Sequence, residues 1–117
     1  MNDEICYYCG MPGNQIDHVI PRIILKSINE TNVHIHDNRI EIVPCCHECN
    51  VLLGASFQST LAERKYYLKV RLKYKYRSLL KIPEWTKAEI DALGYTLKQD
   101  LLDTLNKKEL LLLRLKW

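Results

Sequence analysis

Two cysteine pairs constrain this chain more than any other feature: Cys6-Tyr7-Tyr8-Cys9 near the start, and Cys46-His47-Glu48-Cys49 after an interval of 36 residues. A two-residue spacer lets both sulfurs of a pair reach one ion from a tight knuckle, and two knuckles close a tetrahedral site with Zn–S near ~2.3 Å. Such a closed site predicts a structural zinc held by Cys6, Cys9, Cys46 and Cys49. The fifth cysteine, Cys45, adjoins the second pair and competes with Cys46; spacing favours Cys46. His47 is a weaker competitor, because it lies between two ligands and should point away. An odd thiol count argues against a disulfide framework.

At 117 residues the chain has room for one domain or a module with an appendage. Residues 1–56 are rich in turns and β-branched residues. Ile5 to Tyr8 and Gln15 to Ile20 read as short strands around the turn Met11-Pro12-Gly13-Asn14, and Arg39 to Val43 as another, ended by Pro44. From Thr60 the pattern turns helical. Thr60-x-x-Glu63 reads as a capping box, and Leu61, Leu68, Leu72, Tyr76 and Leu79 share a face until Pro83. Thr86-x-x-Glu89 opens a second helix, with Gly94 suited to its left-handed C-terminal position. Thr96-x-x-Gln99 offers a cap for a third, running to about Lys116. The expected class is α+β: a zinc-stapled module over residues 1–57, and a helical extension of about three helices over 58–117, packed on it as a single compact unit.

The net charge is only +3, yet Thr60 to Lys81 holds eight cations against Glu63 alone. Such segregation points to a polyanionic partner. Arg64, Lys65, Lys69, Arg71, Lys73, Lys75 and Arg77 are candidate phosphate-backbone contacts to a nucleic acid, the other reading being a solvated helix whose tyrosines pack on the rest of the chain. Arg22 and Lys26, nearer the start, read equally as phosphate contacts or solvated cations. Tyr66, Tyr67, Tyr74 and Tyr76 interleave with them. Tyr67, Val70 and Tyr74 form a second apolar stripe, which also allows a homodimer. The C-terminal leucines, crowded at Leu110 to Leu113, read as packing or oligomer surface. With no signal-peptide pattern and no apolar run long enough to span a bilayer, a cytoplasmic protein is expected.

Between the knuckles lies Asp17-His18-Val19-Ile20-Pro21-Arg22, and the second knuckle continues into Asn50 and Gly54. The strings "CYYC", "DHVIPR" and "IVPCCHECN..LG", in this order over about residues 5–55, resemble the HNH endonuclease family, and "CN.LLG" followed by the basic helix, "PEW" and "LGYTL" resembles a group of small phage and bacterial HNH proteins. The resemblance implies a ββα-metal core and metal-dependent hydrolysis of phosphodiester bonds in DNA. It implies His18 as general base, and Asp17 and Asn50 as ligands of a catalytic Mg²⁺ or Mn²⁺, hard oxygen donors suiting a hard cation. The family's middle residue, which braces the loop of the catalytic histidine, falls on Glu41 by gapless spacing; Asn38 is the nearest asparagine. Leu53 stands where many relatives carry lysine. His34 and His36 read as polar loop residues, the other reading being auxiliary metal or phosphate contacts. The other reading open to such a chain is a catalytically inactive zinc module that binds nucleic acid or a protein partner.

Overall fold

The computed structural model describes residues 4–19, 41–54 and 58–117. Ile20, Arg22, Lys26, His34, His36, Asn38 and the residues expected to open the second strand lie outside the described residues. Within them stand two strands, β1 (Gln15–Val19) and β2 (Glu41–Cys45). Five helices follow: α1 (His47–Leu53), α2 (Leu61–Lys75), α3 (Arg77–Leu80), α4 (Lys87–Asp91) and α5 (Tyr95–Lys116). The class is α+β.

The strands pair antiparallel with Gln15 opposite Cys45, Asp17 opposite Val43 and His18 opposite Ile42. Alternation buries Asp17 and Val19 with Val43 and Cys45, and turns Ile16, His18 and Ile42 outward. Ile5 makes only a single bridge to Pro12 rather than a strand, because the chain must curl at once into the first knuckle. Pro44 does not end β2. It pairs with Ile16 inside the strand, and its carbonyl accepts from Tyr7 N at 2.9 Å, so a missing N–H costs nothing on this edge.

Thr60 caps α2, its Oγ1 accepting from Glu63 N at 3.1 Å. The helix breaks at Tyr76 (φ −107°, ψ 27°) before the short α3. Thr86 and Glu89 form the full reciprocal box at α4. Gly94 differs from expectation: at φ −63°, ψ 157° it is extended backbone and precedes the first turn of α5, which therefore starts at Tyr95 without a Thr96 cap.

The core is small and unusual in composition. Cys6, Cys9, Cys45, Cys46 and Cys49 are buried together with Tyr8, Val43 and Leu53, and Leu68 and Leu72 of α2 close it. The helical part thus supplies apolar cover that the cysteine-rich part lacks. No helix among the described residues is long and apolar enough to cross a membrane.

Candidate metal centre and the faces of β1

The first knuckle reverses at Gly10 (φ +79°), with Gly10 N donating to Cys6 O at 3.0 Å and Cys6 N to Met11 O at 2.6 Å. The second is the start of α1, where Cys46 Sγ accepts from Cys49 N at 3.4 Å. The sulfurs of Cys6, Cys9, Cys46 and Cys49 all lie within 4.8 Å of one another, and those of Cys9 and Cys46 are 3.6 Å apart. Tetrahedral thiolates at ~2.3 Å from zinc sit ~3.8 Å apart. The cluster can hold a structural metal ion such as zinc, and it is the only grouping of three or more ligand-type side chains among the described residues.

Cys46, not Cys45, completes the set. Cys45 is fully buried beside it, and its thiol is pushed up chiefly by hydrogen bonding to Cys6, then by burial. Cys9 is lowered to about 6, first by its hydrogen bond with Cys46. An uncompensated cluster of thiolates would repel itself, and Arg114 of α5 answers that charge. This buried guanidinium donates through Nη2 to Cys9 Sγ at 3.5 Å and meets Glu48 Oε1 at 2.6 Å. Burial works against the charged form of both partners; hydrogen bonds to Cys9 and Glu48 nevertheless raise Arg114. Lys75, Tyr76 and Arg114 hold Glu48 down at about 2. Sequence reasoning missed Arg114, and no local pattern marks a partner 105 residues away.

The three residues that the family resemblance groups around a catalytic ion are not grouped here. Asp17 is buried, and both carboxylate oxygens are taken: Arg64 Nη2 reaches Oδ1 at 2.8 Å, Arg64 Nε reaches Oδ2 at 2.9 Å, and Tyr8 OH also donates to Oδ2. His18 projects from the opposite, solvent face of β1, and its ring has no hydrogen-bond partner among the described residues. Asn50 is exposed on α1 and donates to Gln15 Oε1 at 2.7 Å, while Gln15 Nε2 lies 2.9 Å from His47 Nδ1. As arranged, Asp17 and Asn50 do not fit a divalent cation: a buried guanidinium occupies the carboxylate's ligating edge. Glu41 is exposed opposite Val19, on the Asp17 side of the ladder rather than the His18 side.

The basic helix is also sorted by its surroundings. Arg64 is spent on Asp17. Lys69 Nζ donates to Arg114 O and Leu115 O at 2.9 and 2.8 Å, satisfying two C-terminal carbonyls of α5. Lys65 stands 5.4 Å over the Tyr7 ring, and Lys75 pairs with Glu48 at 2.6 Å. The side chains of Arg71 and Lys73 form no ion pair or hydrogen bond among the described residues. Most of the run thus performs internal work that composition cannot distinguish from backbone binding.

No family model, curated protein or solved structure matches this chain.

Proposed function

We propose that this chain is a zinc-stapled nuclease of the HNH type, which hydrolyses a phosphodiester bond in DNA with His18 as the general base. The observation that carries the reading is the position of His18. It is presented on the open face of a strand whose antiparallel partner runs straight into a helix, with four cysteines from the segments flanking the two strands gathered where they could hold one metal ion. Hydrolysis needs a water deprotonated as its oxygen attacks phosphorus and the ester P–O bond breaks. An imidazole is the side chain best matched to that proton transfer at neutral pH. A divalent ion would offset charge on the phosphorane-like transition state if bound. Asp17 and Asn50 are not its ligands while Arg64 holds the carboxylate.

The Arg64–Asp17 pair favours a second reading, an inactive HNH-like zinc module that retains nucleic acid or a protein partner without cutting. Supercoiled plasmid incubated with and without Mg²⁺ or Mn²⁺ separates the two. The nuclease reading expects nicked circles from the wild-type protein and a loss on the order of 10²–10⁴-fold in His18→Ala, the usual weight of a general base. Equal rates in the two proteins remove His18 from its role, and absence of nicking by both leaves the binding module.

A further inference from the structure

The face of α2 opposite the core carries a feature that hydrolysis at His18 does not use. Arg64, Leu68 and Leu72 point inward, whereas Tyr66 is 74% exposed, Val70 48% and Tyr74 61%, at successive four-residue steps along one side. Tyr67, which periodicity assigns to this stripe, packs against the core instead. Three cations border the stripe. The side chains of Arg71 and Lys73 have no ion pair or hydrogen bond among the described residues, and Arg77 stacks 4.4 Å from the Tyr74 ring centroid. Glu63 stands at the N-terminal edge.

We propose that Tyr66, Val70 and Tyr74, flanked by Arg71, Lys73 and Arg77, form a stacking platform for single-stranded DNA. Charge decides against a second copy of the chain as occupant. A two-fold interface lays a patch on itself, so three cations would meet three cations around an apolar strip. A polyanion removes that conflict. The exposed rings then choose between nucleic-acid forms. Duplex DNA hides its base faces, and only its phosphates would engage; an unpaired strand offers bases to the tyrosines and phosphates to the cations together. Tyr66 and Tyr74 are about 12 Å apart along the helix axis, so they serve bases that are not stacked on one another. The DNA assignment rests on the nuclease reading; the stacking geometry does not.

The test is fluorescence anisotropy with oligothymidylate of about 20 nucleotides, the site size of one or two small modules. A blunt duplex and oligouridylate of equal length serve as comparisons. All proteins carry His18→Ala, so that nothing is cut. Expected are tighter binding of oligothymidylate than of duplex, and roughly tenfold weakening in each of Tyr66→Ala and Tyr74→Ala. Binding should be retained in Tyr66→Phe and Tyr74→Phe, and the log–log salt slope should be lower by about 0.7 for each of Arg71→Ala and Lys73→Ala. Both tyrosines are solvent-exposed, so truncation leaves the core untouched. Unchanged affinity in both alanine variants overturns the platform, as does preference for duplex; tighter binding of oligouridylate overturns DNA as its occupant. Plasmid nicking by the His18-containing protein is read separately. Tyrosine-dependent binding without nicking therefore sinks the nuclease alone, and nicking with indifferent tyrosines sinks the platform alone.

Discussion

Asp17 shows what burial does to the meaning of a residue. In sequence it is the carboxylate beside the histidine of an HNH-like string. In the fold it is a bidentate partner of Arg64 with a tyrosine hydroxyl on the same oxygen, joining β1 to α2 and to the first knuckle. Removing one member of a buried pair leaves an uncompensated charge and costs roughly 3–5 kcal/mol, whereas replacing both by apolar groups of similar volume is far milder. Asp17→Asn should therefore shift the urea midpoint strongly downward, and Asp17→Leu combined with Arg64→Met should recover most of that loss. A loss below about 0.5 kcal/mol, the ordinary scale of an exposed substitution, would show that the pair does not persist in solution. The grouping of Cys6, Cys9, Cys46 and Cys49 was legible because a knuckle is a local spacing rule. The Asp17–Arg64 pair was not, because it links positions 47 residues apart, and a string of residues gives no sign of which distant helix will turn toward it.

The elements repeat this division between local and distant signals. Capping residues announced α2 and α4 correctly, since Thr60 and Thr86 bind amides only three residues on. The start of α5 was misread because Thr96 also looks like a cap, yet Gly94 is the residue with the extended backbone that precedes the helix. What the end of α5 does was illegible altogether. Trp117 lies on Gly10, where an added Cβ would come within 2.7 Å of the indole, and its Nε1 donates to Tyr7 O at 3.1 Å. With Arg114 on Cys9 and Lys69 on the last carbonyls, the helix end clamps the first knuckle. Deleting Trp117 should speed metal release to a chelator and lower the melting temperature, and Gly10→Ala should do both more severely, because it also forces a side chain into φ +79°. A release rate unchanged by deletion would mean that the indole covers the knuckle without holding it.

At the scale of the molecule the principal extents are 66 × 31 × 19 Å and the radius of gyration is 19.0 Å, against about 13 Å for a compact chain of this length. An elongated body has little shared interior, and here most of it is the cysteine cluster with the side chains that lean on it. Leu68 and Leu72 bring α2 to that cluster, and Arg114 brings α5. Metal binding to such sites supplies roughly 10–16 kcal/mol of apparent folding free energy, comparable to or larger than the total stability of an ordinary domain. Chelation should for that reason act far beyond residues 6–49. Far-UV dichroism is expected to lose helix as well as hairpin signal, with one transition as zinc is withdrawn and recovery when zinc, but not Mg²⁺, is returned. If the helical signal survived complete removal of metal, α2 and α5 would have to hold together through their own few contacts. The cysteine cluster would then be a local staple on an independently stable helical body.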